Sequence, residues 1–184
     1  MQAIPITEQY PHLADVEALS LEAFPQAEYL SPARMIAMAA EEGFDFWALE
    51  DDGAFTGYMT VMTNRKTAYL FFLAVAPQQR NRGNGSKALR LMKMLYPDLQ
   101  QVVDLERQDE HAENSAQRRR RRQFYLSNGY RPTRQFLTYM GVDYEVLCTE
   151  DDFDAVSFRS LLKDIRIEGF HPVYFTAPVP EDGR

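Results

Sequence analysis

Cysteine is nearly absent from this chain of 184 residues: there is one, Cys148, with three scattered histidines, His12, His111 and His171. One thiol cannot close an internal disulfide or build a cysteine zinc cage, and three dispersed imidazoles argue against a histidine metal site, so no metal is expected. No apolar run reaches the roughly eighteen residues of a membrane span, and the opening MQAIPITEQY lacks the basic-then-apolar order of a secretory signal. The expected compartment is the cytoplasm, with no membrane partner. Positive charge is also scarce. Against 27 acidic side chains stand 20 basic ones, a net charge of −7, which excludes a protein built mainly to coat nucleic acid. What remains is an ordinary globular balance, 45% hydrophobic and 26% charged, on a chain long enough to bury a core without covalent staples.

Acidic residues are missing altogether from two stretches. Residues 65–93 hold seven basic side chains and no acidic one, and residues 117–141 hold seven arginines and no acidic one. These stretches carry +14, so the rest of the chain carries −21. The pattern points to a local anion site on a molecule otherwise attractive to cations.

Periodicity and turn chemistry predict a short strand over residues 3–7 and a helix over 10–24. A second helix follows, with Ser31 as N-cap and Pro32 at its first position. Residues 44–49 and 55–62 read as a hairpin around Asp52-Gly53, and 67–76 as a central strand, since its apolar residues run consecutively rather than alternating. A helix over 86–96, a strand over 102–106, a helix over 114–128, strands over 133–140 and 144–148, a helix over 153–165 and an extended piece over 173–176 complete an α/β layered pattern. Residues 1–148 are expected to form one domain, with 149–184 an extension packed on it.

The most informative stretch is LAVAPQQRNRGNGSKAL, residues 73–89. A buried strand meets a proline, then Arg80-Asn81-Arg82-Gly83-Asn84-Gly85-Ser86, then a helix. Glycines let a ligand approach the backbone, and the free N–H groups of a helix's first turn face it with the positive end of the helix dipole: a pyrophosphate cradle, or else an ordinary strand-to-helix turn. The spacing is not the dinucleotide fingerprint, and Gly-Lys-Ser/Thr of a P-loop is missing. Downstream, Phe124-Tyr125 is followed four residues later by Gly129-Tyr130.

The run Arg80-x-x-Gly83-x-Gly85 between strand and helix resembles the acetyl-CoA signature of the GNAT N-acetyltransferase superfamily, and the Phe124-Tyr125…Gly129-Tyr130 helix end resembles that family's second motif. The resemblance implies a central, mostly antiparallel mixed sheet splayed around an acetyl-CoA slot, with helices on both faces. It implies that residues 80–86 bind the CoA pyrophosphate, that the backbone of Leu73, Ala74 and Val75 pairs with the pantetheine arm, and that Tyr125 protonates the departing thiolate. A phenol with a pKa of about 10 suits that task. The chain departs from the family pattern at Arg118 and Arg121, where many members have asparagine and alanine. Five consecutive arginines, 118–122, encircle a helix, so most are expected to be solvated.

A protonated amine must lose a proton before attacking a thioester, and Glu106, with Asp104 on the same strand face, is the candidate base. The loop holding Phe24, Glu28 and Tyr29 is where the family shapes its acceptor pocket. The expected function is therefore acetyl transfer from acetyl-CoA to a primary amine by direct attack, on a small cationic amine or a peptide. The alternative is a non-catalytic CoA-binding or interaction module of the same fold. A homodimer is compatible with either.

Overall fold

In the computed structural model the structure describes residues 1–26, 28–167 and 169–176. The chain divides into two compact units, Met1–Gln101 and Val102–Arg184. The first holds β1 (Gln2–Pro5), α1 (Leu13–Ala23), α2 (Pro32–Ala39), β2 (Phe44–Asp51), β3 (Ala54–Thr63), β4 (Thr67–Val75), a single 3-10 turn at Pro77–Gln79, and α3 (Asn84–Leu95). Strand β5 (Gln100–Glu106) contains the boundary. The second unit continues with α4 (Ser115–Ser127), β6 (Arg131–Tyr139), β7 (Val142–Cys148), α5 (Ala155–Lys163) and β8 (Val173–Thr176). The α/β class and the largely antiparallel pairing are as expected.

In the first unit β1 pairs with β2, β2 with β3 and β3 with β4, all antiparallel. The β2–β3 turn works because Asp52 and Gly53 both take left-handed φ, 51° and 75°, which matches the twist of the strands they join. Along β4 the first four residues are all buried, the mark of a strand covered on both faces. Gly57 of β3 is required there: a Cβ at that position would stand 2.1 Å from the Ala74 carbonyl oxygen. Val16 and Leu19 of α1 and Met35 of α2 join Tyr58, Met59, Tyr69 and Leu70 in the core. At the start of α2 the Ser31 hydroxyl accepts the Arg34 N–H at 3.3 Å and Pro32 stands at the first turn, the cap read from the sequence.

In the second unit β5 pairs with β7, β7 with β6 and β6 with β8, again antiparallel. Leu105, Leu137, Leu147, Phe158 and Leu162 form its core. Asp154 caps α5 by accepting the Ser157 N–H at 2.9 Å. The rings of Tyr139 and Tyr144 lie parallel at 4.1 Å on neighbouring strands.

Differences from the sequence reading have local causes. The first helix begins at Leu13, not residue 10, because Tyr10 is drawn into the core and its hydroxyl donates to Glu50 at 2.9 Å. The glycine-loop helix begins at Asn84, two residues early, because Gly83 serves as its cap. Strand β6 begins at Arg131 and includes Pro132, tolerated beside a register shift between Pro132 and Phe136 where Arg134 has φ 62°. Residues 177–184 of the expected extension lie outside the described residues.

Seven tyrosines among the described residues have phenols pushed above their ordinary range. Burial is the main cause at Tyr10, Tyr58, Tyr96, Tyr125, Tyr130 and Tyr174, and hydrogen bonding to Glu17 at Tyr29. Below pH 10 these groups are neutral folded or unfolded and cost nothing. Above it the unfolded chain releases its protons first, so stability is lost as pH rises past about 10 toward 12. We expect Tm to be insensitive to these phenols between pH 8 and 9.5 and to fall steeply beyond about pH 10. Absorbance near 295 nm should show most tyrosine ionisation coinciding with unfolding. Early, reversible ionisation of all ten tyrosines in the folded protein would contradict the burial.

Candidate active site

In the first unit, the chain leaves β4 at Val75, turns through Pro77–Gln79 and enters α3 through Asn81 and Gly83, both left-handed at φ 59° and 76°. Gly83 is the N-cap and has no side chain with which to cap. The first bonded amide is that of Lys87, which donates to the Gly83 carbonyl at 3.0 Å. The N–H groups of Asn84, Gly85 and Ser86 therefore have no intrahelical acceptor and carry the positive end of the dipole. Around a Cβ built at Gly83 nothing lies within 4 Å. Free amides, open space and a stretch without carboxylates are what a pyrophosphate requires, so these residues fit the group the resemblance implies.

Two side chains give the loop its shape. Asn84 is buried, and its Nδ2 donates to the Gln79 carbonyl at 3.0 Å. Arg80 donates from Nε to the Val75 carbonyl at 2.9 Å and pairs with Glu22 at 2.9 Å, so its guanidinium holds the loop as well as charging it. Arg82 is exposed. Leu73, Ala74 and Val75 are paired along β4 with Met59, Tyr58 and Gly57 of β3. Lys87, on the outer side of α3, is paired with Asp51, whose carboxyl is lowered to about 2 by Lys87 and the Met1 amino group.

Of the expected acceptor residues, Phe24 packs its ring 4.5 Å from Phe72 of β4. Tyr29 donates its hydroxyl to Glu17, which with burial pushes the phenol up to about 12. Glu28 turns the chain through its N–H to the Pro25 carbonyl at 2.9 Å. Ala27, between them, lies outside the described residues.

In the second unit, the end of α4 explains the Tyr-x-x-x-Gly-Tyr spacing. Gly129, at φ 90°, donates its N–H to Leu126, and Tyr130 donates to the carbonyl of Tyr125 at 3.2 Å, a Schellman closure that only a left-handed residue allows. The chain thus folds back and sets the Tyr130 ring edge-on to Tyr125 at 5.4 Å. Tyr125 is buried, and burial pushes its phenol up to about 12, with Arg121 opposing and Asp104 reinforcing the shift. At neutral pH its proton is in place.

Glu106 stands at the end of β5. Arg118 and Arg121 pair with it at 3.0 and 3.2 Å, and Asn114 donates to it at 3.0 Å. Asp104, two residues earlier, accepts the Tyr139 hydroxyl at 2.9 Å. The arginine run differs from a mostly solvated one: Arg122 forms a two-pronged pair with the buried Glu145, at 2.7 and 3.1 Å, so three of the five arginines are held by carboxylates. Sequence reasoning missed Asn114 and the pairing of this run, because the partners lie at distant positions on strands. Cys148 is buried and its thiol is pushed up to about 11 by burial, so it is a core residue and no acyl carrier.

No curated protein matches the sequence. Residues 42–132, a span that includes both motifs, match the family model of the acetyltransferase (GNAT) domain. That span is a GNAT acetyltransferase domain. As a GNAT protein it is an acetyl-CoA-dependent acyltransferase. Its fold is shared with a GNAT-family protein from Bacteroides thetaiotaomicron, at 22% identity and TM-score 0.67 over 87% of this chain and 92% of that one. It is shared also with the aminoglycoside 6'-N-acetyltransferase from Enterococcus faecium, at 14% identity and TM-score 0.60 over 84% and 100% of the two chains. A GNAT acetyltransferase from Elizabethkingia anophelis with acetyl-CoA bound matches at 14% identity and TM-score 0.56 over 81% and 97%. Among the described residues of this GNAT chain no helix is long and apolar enough to cross a membrane.

Proposed function

We propose that the chain transfers the acetyl group of acetyl-CoA to a primary amine by direct attack, and that the acceptor is a small cationic amine or a peptide amine. The observation that carries the donor half is the start of α3: an uncapped helix entered through a left-handed glycine, with free amides and no acidic residue in its first turn. Residues 80–86 hold the pyrophosphate, and the backbone of Leu73, Ala74 and Val75 binds the pantetheine arm as an added strand would. Acetyl-CoA supplies a reactive thioester. The remaining chemistry falls to this chain. Tyr125 gives its proton to the sulfur as the carbon–sulfur bond breaks, and Glu106, oriented by Asn114 and Arg118, accepts the proton that the ammonium must lose for its nitrogen to bond to the carbonyl carbon. Residues 1–148 are the acetyltransferase module and 149–184 its extension.

The preference for a cation rests on charge. Outside the two basic stretches the chain carries −21, and a cleft among such carboxylates raises local cation concentration. The Enterococcus faecium enzyme of the same fold is an aminoglycoside acetyltransferase, which favours including polyamino sugars among the candidates.

A panel of polyamines, aminoglycosides and lysine peptides with acetyl-CoA, read by released thiol, tests this. We expect turnover on a cationic acceptor, with KM rising as salt is added. Glu28→Gln should raise KM and weaken that salt dependence at nearly constant kcat, since it removes attraction common to ground and transition states. Glu106→Gln should instead lower kcat. An efficient neutral or acidic acceptor overturns the cation reading, while acetyl-CoA binding without turnover on any amine favours the non-catalytic module.

A further inference from the structure

Arg118 and Arg121 both reach Glu106 but are differently placed. Arg118 is largely buried, with a side chain 17% exposed, and donates also to Asn114 Oδ1 at 2.7 Å and to the Arg107 carbonyl at 2.8 Å. Its three acceptors lie at the end of β5 and on the segment leading into α4, so it shapes that segment. Arg121 is 41% exposed and bonds Glu106 Oε2 through one nitrogen at 3.2 Å. It stands four residues before Tyr125 on α4, the spacing at which helical side chains are neighbours. The residue that touches the carboxylate thus shares a helix face with the phenol.

We propose that Arg121 is a positioning residue that couples the two proton carriers, holding Glu106 through Oε2 and stabilising the phenolate that Tyr125 becomes when its proton passes to the departing sulfur. The proposal rests on the reading of Tyr125 as the acid. The phenolate regains its proton from solvent after the product leaves. The charges around Tyr125 are few: Arg121 on its own helix favours the ionised form, and Asp104 of β5 opposes it. Burial opposes it too, and the rings beside it, Phe124 and Tyr130, are uncharged. Glu106 faces Arg118, Arg121 and Asn114, and Glu145 of β7 is matched by Arg122. Arg121 is therefore the cation through which the phenol can be tuned.

The test reads the phenol directly. A fluorinated tyrosine placed at position 125, whose more acidic phenol titrates in an accessible range, is followed by 19F NMR in the free protein. Arg121→Gln should raise its midpoint by about half a pH unit, the size expected of one partly screened charge near an i,i+4 neighbour. Arg118→Gln should leave the midpoint in place, and Arg121→Lys should restore it, because the charge returns without the guanidinium fork. In turnover, Arg121→Gln should lower kcat several-fold at unchanged KM for acetyl-CoA, with most of the loss recovered in Arg121→Lys. An unmoved midpoint in Arg121→Gln, or an equal rise in Arg118→Gln, overturns the coupling. Absence of thiol release by the unaltered protein would overturn the acetyltransfer reading instead, and the titration still decides the coupling because it needs no turnover.

Discussion

Tyr125→Phe is expected to lower kcat about 10²-fold, the usual contribution of a positioned acid, while the affinity for acetyl-CoA stays near its original value. The substitution keeps the ring, and with it the edge-on contact to Tyr130 at 5.4 Å and the core position in the second unit. It removes only the O–H. Because burial holds the phenol at about 12, the group is fully protonated across the working range, and no loss of its acid form intervenes below about pH 10. The measurement is kcat under conditions where chemistry limits turnover, with ligand affinity from titration of the same preparation. Unchanged kcat there would mean that the hydroxyl is not the acid and that water protonates the thiolate.

The second large effect is on ligand-linked stability. Acetyl-CoA at about 100 times its Kd should stabilise the folded state by about 2.7 kcal/mol, a Tm rise of about 5–10 °C for a chain of this size. Gly85→Leu should abolish that rise. Gly85 lies inside α3 without a positive φ, so leucine is compatible with the helical backbone there and its side chain is expected to obstruct the ligand. Gly83→Ala tests the other half of the cradle at a conformational cost of about 1–2 kcal/mol, since Gly83 is left-handed and an added Cβ meets no neighbour within 4 Å. Its unliganded Tm should drop, whereas that of Gly85→Leu should hold. A full acetyl-CoA shift in Gly85→Leu would place the pyrophosphate elsewhere.

Both variants test positions that were readable in the sequence, and the reason is that both motifs are local. A left-handed glycine before a helix, and a glycine four residues after a tyrosine at a helix end, act through hydrogen bonds within a few residues: Lys87 to Gly83, and Tyr130 to Tyr125. Turn chemistry of this kind is set by the residues themselves, as it is at Asp52-Gly53 and at the Ser31 cap. The consecutive apolar run of β4 was legible for a related reason, since no amphipathic position on it could face water.

The fate of the arginines was not legible. As a run of five they suggest a solvated helix, because sequence shows their number and their spacing but not what β5 and β7 present to them. Register decides that. Leu105 lies opposite Glu145 across the β5–β7 pair, and Glu106 opposite Tyr144, so one strand end offers Glu106 to Arg118 and Arg121 while the next offers Glu145 to Arg122. The same holds for Tyr10, whose helical spacing yields to a hydrogen bond with Glu50 forty residues away. By itself the sequence determined the elements, the glycine turn before α3 and the tyrosine closure after α4, because each is made of neighbours in the chain. Tertiary structure alone decided which carboxylate each arginine meets, because a charge pair depends on distance in space, and strand pairing sets that distance.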